Sequence, residues 1–468
     1  MKKFYITTTL PYVNAEPHIG FAMEIVQADI VARFHRLNNE EVVFNTGTDE
    51  HGTKIYRAAL EQKKDPQAYV DEYAAKFDDL KKLLNLSYTN FIRTSNPAHK
   101  KSAQQFWVRC LERGDIYKDK YSIKYCVGCE LEKTESELID GKCPIHPNIE
   151  IETMEEENYF FKWSNYQKPL LEFYKKNPEF VLPNFRFNEI KQFVEKGLQD
   201  FSISRLKTKL PWGVEVPNDS NQVMYVWFDA LVNYISTLGW PEDLEKFNAF
   251  WPGVQVAGKD NLRQQSAMWQ AMLMSAGLPN SKQIIIHGFI TNNGQKMSKS
   301  LGNVIHPFDL VQKYGTEATR FLIGYELNTF EDSDITMERL NKSYTANLAN
   351  GLGNLVARVS KLCEKINFEA PKLEEKFDPE VEKLIKEFKF NEALNWIWEI
   401  ISITDRRVNE TRPWEKDGLE LKEDLDELVR LIQRIAFNLQ PFLPETAEKI
   451  LKQFSGKIKS APALFPRI

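Results

Sequence analysis

The chain has 468 residues, and its 61 basic and 66 acidic side chains leave a formal net charge of −5. With 42% hydrophobic and 27% charged residues, the composition is typical of a globular protein of about three domains. It excludes a disordered chain, a fibrous repeat and a protein that binds DNA through a strongly basic field. The sequence has no run of 18 apolar residues and no signal-peptide pattern at Met1–Val13, so we expect a cytoplasmic protein that does not enter membranes.

The amino-terminal part alternates between strand and helix patterns. The β-rich run Phe4–Thr9 predicts a strand, Phe21–Leu37 a helix and Glu41–Phe44 a second strand. Two further helices are predicted at Lys54–Gln62 and Asp71–Leu84. This alternation predicts a parallel sheet with crossover helices, and we assign its first half to residues 1–114.

Residues 115–220 break the alternation and are predicted to form an insertion within the sheet domain. The alternation returns in residues 221–343. Strands are predicted there at Gly253–Ala257 and Lys282–His287, on either side of a helix at Leu262–Met274. These residues are therefore expected to form the second half of the sheet domain.

Residues 344–468 show helical periodicity throughout. The pattern predicts helices at Leu348–Leu362, Glu380–Val408 and Leu419–Leu439, and hence an all-α domain. The sequence shows no dimerisation module after this domain, which favours a monomer.

The loop Pro11–Gly20 ends the first predicted strand and opens the first predicted helix. In open α/β sheets, ligands bind beyond the carboxyl ends of strands, and a helix N-terminus attracts phosphate. His18 can donate a hydrogen bond to a phosphate oxygen there, and Gly20 permits close approach of a ligand to the backbone. Taken alone, a His-x-Gly motif in a loop is more often structural.

A second motif, Lys296–Ser300, reads Lys-Met-Ser-Lys-Ser and is flanked by Gly294 and Gly302. Two lysines on such a loop suit a clamp for polyphosphate, because each ammonium group can stabilise charge that develops on a phosphate. The alternative is a solvated lysine loop.

Four residues have the spacing of metal ligands. Cys126 and Cys129 form one pair with a two-residue gap, and Cys143 and His146 form another. Two such pairs fit one tetrahedral zinc ion with four protein ligands, which predicts a structural site. The two remaining cysteines, Cys110 and Cys363, are expected to be buried, inert thiols.

The segment Gly253–Lys259 has the outline of a phosphate-binding P-loop. The next residue is Asp260, whereas a P-loop has a serine or threonine whose hydroxyl binds magnesium. A carboxylate at that position repels phosphate, so we reject this reading.

Together, the histidine and lysine motifs resemble the two ATP-binding signatures of the class I aminoacyl-tRNA synthetases. Further segments narrow the resemblance to the methionine-specific members of that family; they are Thr9–Tyr12, Gly47–Gly52, Tyr225–Ala230, Gly258–Asp260 and Arg412–Trp414. The resemblance covers essentially the whole chain. It implies a Rossmann-like parallel-sheet catalytic domain, split by a zinc-bearing connective insertion and followed by an all-α anticodon-binding domain.

The resemblance also implies two sets of substrate-binding residues. The ATP set is Tyr12, Asn14, His18, Gly20, Glu24, Lys259, Asp260, Lys296 and Lys299, of which His18, Lys296 and Lys299 are catalytic. The methionine set is Leu10, Tyr12, Asp49, Trp227, Ala230, Tyr234, Gln265 and Trp269, with Arg205 close to the substrates. The second set agrees with the chemistry of the ligand, since an ammonium group needs a carboxylate and a thioether favours polarizable aromatic walls.

The implied function is the activation of L-methionine by ATP, accompanied by magnesium, to methionyl-adenylate and pyrophosphate. The methionyl group then passes to tRNA(Met), whose anticodon Asn347 and Trp414 would contact. No side chain needs to act as a nucleophile, because the methionine carboxylate attacks the α-phosphate.

Three residues depart from the family pattern. Phe21 replaces a second histidine, Gln265 replaces a histidine near the amino-acid site, and Gly351 replaces an arginine four residues after Asn347. Phe21 favours a second hypothesis, a catalytically reduced relative that only binds tRNA, although the intact Lys296–Ser300 motif argues against it. A third hypothesis is an enzyme for leucine, valine or isoleucine, but the predicted insertion is too short for the editing domain of such enzymes.

Overall fold

The structure is a computed structural model that describes residues 1–133, 137–297 and 302–468. The chain folds into two compact units, and each unit is assembled from three separate segments. Unit 1 comprises Met1–Glu16, Glu41–Asp79 and Tyr88–Ile286. Unit 2 comprises Pro17–Glu40, Leu80–Ser87 and His287–Ile468. The functional domain boundaries expected after residues 114, 220 and 343 stay a prediction.

Strands and helices alternate through the first part of the described chain, and helices dominate its last part. The strands are β1 (Lys3–Thr8), β2 (Glu41–Thr48), β3 (Asn90–Arg93), β4 (Ile116–Cys126), β5 (Leu131–Glu132), β6 (Glu152–Phe161), β7 (Val181–Leu182), β8 (Phe201–Ser202), β9 (Ser204–Leu206), β10 (Glu215–Val216), β11 (Asp219–Met224), β12 (Val254–Gly258), β13 (Gln283–His287), β14 (Ile290–Asn292), β15 (Gln295–Lys296) and β16 (Ser333–Ile335). The helices are α1 (Ile19–Leu37), α2 (Thr53–Glu61), α3 (Pro66–Asp78), α4 (Leu80–Leu83), α5 (Pro97–Glu112), α6 (Gln167–Lys176), α7 (Asn184–Glu195), α8 (Val226–Ala230), α9 (Asn233–Ser236), α10 (Leu244–Phe250), α11 (Trp269–Ser275), α12 (Pro307–Tyr314), α13 (Thr316–Glu326), α14 (Met337–Ser343), α15 (Asn354–Lys365), α16 (Pro379–Lys386), α17 (Phe390–Thr411), α18 (Gly418–Leu439) and α19 (Pro444–Gln453).

A six-stranded sheet with the order β3-β2-β1-β12-β13-β7 forms the centre of unit 1. The strand β1 is parallel to both of its neighbours, and its Ile6 is in register with Phe44 of β2 and Val254 of β12. Each of these three side chains is almost fully buried, as expected for a parallel strand covered on both faces. The predicted parallel α/β sheet is therefore confirmed.

The carboxyl ends of three adjacent strands meet at one edge of this sheet, because β2, β1 and β12 are parallel neighbours. Leu10 and Tyr12 follow β1, Asp49 follows β2, and Lys259 follows β12. Such an edge is where open α/β sheets bind ligands. The fold thus brings together residues that are far apart in the sequence.

Two small antiparallel sheets lie within or at the end of the predicted insertion, with β11 running past residue 220 to Met224. A four-stranded sheet has the order β5-β4-β6-β8, and its long strands β4 and β6 pair from Ile116 with Phe161 to Tyr125 with Glu152. A three-stranded sheet has the order β10-β11-β9. The strand β4 ends at Cys126, so the hairpin supports the first of the predicted metal ligands.

A buried ion pair anchors unit 2. The Arg320 guanidinium is fully buried and lies 2.8 Å from a carboxylate oxygen of Asp29, which is also fully buried. It also donates hydrogen bonds to the backbone carbonyls of Leu84, Pro441 and Phe442 at 3.0, 3.2 and 2.8 Å. The cation is therefore matched by several acceptors, as burial of a charge requires.

Two single helices predicted from the sequence are wrong. Asp71–Leu84 is divided between α3 and α4, and α3 begins earlier, at Pro66, because the Asp65 side chain accepts hydrogen bonds from two backbone N–H groups of its first turn. Glu380–Val408 is divided into α16 and α17 by Phe388, whose φ of 59° lies in the left-handed region.

The expected helical character of residues 344–468 is confirmed over most of that range. Its first helical stretch, Tyr344–Gly353, is a π-helix that continues into α15. A π-helical turn, Gln264–Met268, also precedes α11 in the region predicted as one helix. Among the described residues, none of the helices combines the length and the apolar character needed to cross a membrane.

Candidate active site and metal centre

Asp49 is held in place by its own backbone. Its N–H donates to the carbonyl of Pro11 at 3.0 Å, and its carbonyl accepts from the N–H of Val13 at 3.3 Å, so the chain segments after β1 and β2 are tied together. Its side chain is only 2% exposed. Burial raises the pKa of the Asp49 carboxyl well above its usual value, and the nearby charge of Asp229 raises this pKa further. The carboxylate is thus suited to bind a cation.

Two aromatic side chains accompany Asp49 in unit 1. The ring of Tyr12, from the segment bridged to Asp49, lies edge-to-face with Trp227 of α8 at a centroid distance of 6.1 Å. The Tyr12 hydroxyl and the Trp227 indole N–H are buried and have no hydrogen-bond partner among the described residues. Buried donors are normally paired, so these two atoms are candidates for contact with a ligand.

The other residues that are expected to bind methionine form a second group in unit 1. The Gln265 amide donates to the Tyr234 hydroxyl at 2.7 Å and accepts from the Gln255 amide at 3.2 Å. The Tyr234 ring lies edge-to-face with Trp269 at 6.0 Å. Ala230, at the end of α8, is buried as well. Gln265, which stands where the resemblance implies a histidine, is therefore buried and hydrogen-bonded.

Four predicted ligand-binding residues lie on segments that follow strands in unit 1. Leu10 and Asn14 belong to the segment after β1, and both are partly exposed. Lys259 begins a short 3₁₀ turn directly after β12; it is partly exposed, and the adjacent Asp260 is exposed. These positions agree with contact to a soluble ligand.

Arg205 is buried between two aromatic rings. Its guanidinium lies 5.1 Å from the ring centroid of Tyr125 and 4.8 Å from that of Tyr225. One of its nitrogens donates to the Ser202 hydroxyl at 2.8 Å and to the Ser204 carbonyl at 2.7 Å. These contacts hold the Arg205 guanidinium against the rings of Tyr125 and Tyr225.

His18 lies in unit 2 as the N-cap residue of α1. Its ring Nδ1 accepts a hydrogen bond from the Gly20 N–H at 3.0 Å, so in the neutral ring the proton is on Nε2. A Cβ atom at Gly20 would lie 2.9 Å from the imidazole, which explains the glycine. The exposed His18 ring can thus donate from Nε2 at the helix N-terminus.

Hydrogen bonds within unit 2 connect the histidine motif to the chain that follows the lysine motif. The Ile19 N–H donates to the carbonyl of Ile305 at 3.0 Å. The side chain of Asn303 donates to the carbonyl of Lys296 at 3.3 Å. Lys296 itself is exposed, whereas the predicted residue Lys299 lies outside the described residues.

Glu24 has a partner that the sequence did not indicate. A carboxylate oxygen of this buried residue lies 2.9 Å from Nε2 of His287, and Nδ1 of the same ring lies 2.8 Å from the carbonyl of Gly288. Both ring nitrogens face acceptors, so both can be satisfied when the ring carries two protons and pairs with the carboxylate. Phe21, which stands where the resemblance implies a second histidine, is buried one turn before Glu24 in α1. The histidine motif therefore has one imidazole, that of His18.

The four predicted metal ligands come together in unit 1. The donor atoms of Cys126, Cys129, Cys143 and His146 all lie within 4.8 Å of one another. The Cys129 sulfur lies 3.4 Å from that of Cys143 and 3.2 Å from Nδ1 of His146. Ligands 2.3 Å from a tetrahedral zinc ion would be separated by about 3.7 Å, so the cluster fits zinc.

A glycine in the metal loop supports this arrangement. A Cβ atom at Gly128 would lie 2.5 Å from the His146 ring, so only glycine leaves room for the imidazole. The sulfur and imidazole donors are those that zinc prefers. The cluster can therefore hold a metal ion. Cys110 and Cys363 lie apart from it and are buried, as expected.

The two residues proposed to contact the anticodon lie in unit 2. Asn347 is partly exposed; its amide donates to the Ser343 hydroxyl at 3.1 Å, and its carbonyl accepts from the Trp398 indole at 3.2 Å. Trp414 is 47% exposed, and the Arg358 guanidinium lies 6.0 Å from its ring centroid. Exposed tryptophan of this kind is available for stacking.

A buried cluster of an aspartate and two histidines is not indicated by any pattern in the sequence. Asp229 of α8 lies 2.9 Å from Nδ1 of His51 and 3.4 Å from Nε2 of His99. Burial works against ionisation, but the two imidazoles lower the pKa of Asp229 below its usual value. The three residues are widely separated in the sequence, so spacing gave no signal of this contact.

Comparison with known proteins identifies the family. The family model described as tRNA synthetases class I (M) matches residues 4–360, which is more than half of the chain. The chain belongs to this family of class I tRNA synthetases.

The relatives found by sequence are methionine–tRNA ligases. Those of Thermotoga maritima and Thermosynechococcus vestitus are each 40% identical to this chain; the matches cover 98% and 99% of it, and 76% and 92% of the relatives. A solved structure of Mycobacterium tuberculosis methionyl-tRNA synthetase in complex with methionyl-adenylate has a TM-score of 0.93 and 33% identity, and each chain is fully covered. The predicted family and fold class are therefore confirmed.

Proposed function

We propose that this chain joins L-methionine to tRNA(Met) in two steps. Methionine and ATP first form methionyl-adenylate and pyrophosphate, and the methionyl group then passes to the terminal ribose of the tRNA. The observation that carries this proposal is the buried Asp49, whose backbone bridges to Tyr12, together with the polar atoms of Tyr12 and Trp227, which have no hydrogen-bond partner in the part of the chain that the structure describes. The named relatives support the same substrate.

Methionine is proposed to bind by both of its ends. The Asp49 carboxylate and the Leu10 carbonyl would hold the α-ammonium group, because a cation needs acceptors when it leaves water. The rings of Tyr12, Trp227, Tyr234 and Trp269 would surround the thioether, together with Ala230 and Gln265. Arg205, fixed between aromatic rings, is proposed to lie near the substrates.

ATP is proposed to be bound through its phosphates and its ribose. Nε2 of His18 would donate to a phosphate oxygen, and Gly20 would allow close approach to the start of α1. Lys296 and Lys299 would neutralise charge on the phosphates as pyrophosphate leaves. The other proposed ATP contacts are Tyr12, Asn14, Glu24, Lys259 and Asp260. Magnesium bound with ATP would supply further charge neutralisation.

The reaction needs position and charge more than a protein nucleophile. The methionine carboxylate attacks the α-phosphorus, the bond to the pyrophosphate oxygen breaks, and pyrophosphate leaves with the electron pair. Holding the carboxylate close to phosphorus, with fixed donors around the phosphates, lowers the barrier.

The remaining proposals concern the partner RNA, the metal and the location. Asn347 and Trp414 are proposed to contact anticodon bases, and zinc, held by the Cys/His cluster, to have a structural role. We place the protein in the cytoplasm, where thiolate ligands stay reduced, and we expect a monomer.

Methionine-dependent exchange of pyrophosphate into ATP tests this proposal. The purified chain is assayed with each of the twenty amino acids, and the expected result is exchange that depends on methionine. Exchange with leucine, valine or isoleucine instead would overturn the substrate. Binding of tRNA without any exchange would favour the second hypothesis, a catalytically reduced relative that only binds tRNA, which the replacement of a histidine by Phe21 suggests.

A further inference from the structure

Two of the predicted metal ligands each have a buried neighbour in the sequence. Tyr125 precedes Cys126, and Glu130 follows Cys129. Both side chains are buried, with exposures of 1% each, and Glu130 adopts a left-handed backbone conformation with φ of 52°. A left-handed glutamate is uncommon, so its backbone is constrained by its surroundings. The metal loop thus carries a buried carboxylate next to one of its cysteines.

The Glu130 carboxylate caps a helix of the sheet domain. One of its oxygens accepts a hydrogen bond from the backbone N–H of Lys54 at 2.6 Å, in the first turn of α2. The N-cap residue of α2 is Gly52, which has no side chain to perform this role. A Cβ atom at Gly52 would lie 3.2 Å from the same carboxylate oxygen, so the two segments are in close contact. This cap fixes the chain just after Asp49.

The same residue also holds the segment that carries Trp227. The backbone carbonyl of Glu130 accepts a hydrogen bond from the Tyr225 hydroxyl, and its second carboxylate oxygen accepts one from the Tyr125 hydroxyl. Tyr225 is the N-cap residue of α8, which begins one residue before Trp227. Glu130 therefore contacts two of the segments that supply the proposed methionine site, the one that follows Asp49 and the one that carries Trp227.

An aromatic cluster completes the connection. Tyr125, Tyr225 and Val226 form one buried group, and Tyr12 and Trp227 pack against it. The Arg205 guanidinium lies between the rings of Tyr125 and Tyr225. A shift of the metal loop would thus move the packing surface of both aromatic rings beside Asp49, since close-packed interiors transmit displacement.

We propose that Glu130 is a positioning residue that couples the metal centre to methionine binding. The metal ion fixes Cys129 and with it Glu130. The Glu130 carboxylate then holds the segment that carries Asp49, and the Glu130 backbone carbonyl holds the segment that carries Trp227. This inference rests on the proposed function and adds a role that a purely structural metal would not have. Because coupling between two ligands is reciprocal, methionine strengthens metal binding by the same factor by which metal strengthens methionine binding.

The test combines Glu130→Gln with removal of the metal. Methionine affinity is measured by quenching of intrinsic tryptophan fluorescence, with and without one equivalent of zinc. Zinc affinity is measured by titration against a chromogenic chelator, with and without methionine. Glu137→Gln is the matched control, because Glu137 is another carboxylate of the insertion and pairs with Arg263. Tyr125→Phe removes one hydroxyl donor to Glu130 and keeps the ring.

For the wild type we expect zinc to strengthen methionine binding by about tenfold, which corresponds to about 1.4 kcal/mol of coupling. Glu130→Gln should reduce the coupling to less than about twofold, and Glu137→Gln should leave it unchanged. In pyrophosphate exchange by zinc-loaded Glu130→Gln, the KM for methionine should rise by about tenfold while the KM for ATP changes less than about twofold. The coupling between zinc and methionine in Tyr125→Phe should lie between the values for wild type and Glu130→Gln.

Two results would overturn the inference. One is equal coupling in wild type and Glu130→Gln, and the other is a rise in both KM values by the same factor. If Glu130→Gln fails to fold, as judged by circular dichroism, Tyr125→Phe takes its place. A coupling in Tyr125→Phe equal to that of wild type would then overturn the inference. A wild type without methionine-dependent exchange would refute the proposed function instead, so the two failures are distinguishable.

Discussion

The backbone N–H of Ile19 donates a 3.0 Å hydrogen bond to the carbonyl of Ile305, so the start of α1 is tied to the segment that follows the lysine motif. His18 is the neighbour of Ile19, and the side chain of Asn303, two residues before Ile305, donates a hydrogen bond to the carbonyl of Lys296. Two motifs that are distant in the sequence are thus connected within one compact unit, as joint action on one nucleotide requires.

The lysine motif is expected to act on the rate of activation. Lys299→Ala should lower kcat for pyrophosphate exchange by about 100-fold or more, because it removes a charge that stabilises the departing phosphates. The KM for methionine should change less than about twofold. Lys342→Ala, at an exposed position of α14, is the control and should have wild-type kcat. An unchanged kcat in Lys299→Ala would exclude this role.

Asp49 is expected to control methionine binding and its pH dependence. Burial and the charge of Asp229 raise the pKa of Asp49, so the carboxyl takes up a proton at a higher pH than an exposed aspartate. The protonated form cannot pair with an ammonium group, so kcat/KM for methionine should fall as the pH is lowered through this raised pKa. Asp49→Asn should lower kcat/KM by about 100-fold and remove this limb of the profile. A pH profile that Asp49→Asn does not alter would contradict the assignment.

The metal centre predicts a stoichiometry. The purified protein should contain one zinc ion per chain, and Cys143→Ala should lose most of it, because three remaining donors bind less tightly than four. Loss of the ion should increase amide hydrogen exchange in the insertion, since metal binding stabilises the fold of its own loop. Cys110→Ala provides the control, because Cys110 is buried elsewhere and should not affect metal content.

Trp414 is expected to contribute to tRNA binding and not to methionine activation. Trp414→Ala should raise the KM for tRNA by about 10-fold, since stacking of a base on an aromatic ring contributes about 1–3 kcal/mol. Pyrophosphate exchange, which does not need tRNA, should be unaffected. Trp396→Ala, which removes another exposed tryptophan of unit 2, serves as control. If both variants raise the KM for tRNA equally, Trp414 has no particular role.

The pair of Asp29 and Arg320 predicts a pH-dependent stability. Burial alone would raise the pKa of Asp29, but Arg320 and Arg33 lower it below its usual value. A carboxylate with a lowered folded-state pKa stabilises the fold above its unfolded pKa of about 3.9, and this stabilisation is lost as the pH falls through the folded value.

At pH 7, Asp29→Asn should therefore lower the free energy of unfolding by about 3–5 kcal/mol, the usual cost of leaving one partner of a buried ion pair alone. The difference from wild type should begin to shrink below about pH 4, where the carboxyl of the unfolded wild-type chain takes up a proton, and shrink further as the pH falls toward the lower folded-state pKa of Asp29. Denaturant titration at several pH values measures both. A difference that stays constant down to pH 3 would contradict the ionic origin.

Local patterns explain what the sequence predicted well. The Cys/His cluster depends on two short spacings within one region of the chain, so all four of its members could be predicted from the sequence. The strand β1 and helix α1 begin within two residues of the predicted positions, because their apolar periodicity is set by neighbouring residues. The helix α3 begins at Pro66, before the predicted start at Asp71, because Asp65 caps its first turn.

Long-range contacts explain what the sequence did not predict. Glu130 caps α2 through Lys54, and His287 pairs with Glu24, yet neither pair shares a local pattern. Such partners are decided by the fold, which brings distant segments together after each has formed its own local structure. Family resemblance could name Glu24 as a site residue, but it could not say which side chain holds it.

The interleaving of segments also limits how this chain can be shortened. A fragment that stops at Ile286 retains α1 with its buried carboxylate but lacks the helix that carries Arg320. Without Arg320, the buried carboxylate of Asp29 would have to take up a proton, or α1 would have to detach. A split version of the enzyme would therefore need the fragment from His287 onward to be supplied in trans, and its activity would report directly on reassembly of that ion pair.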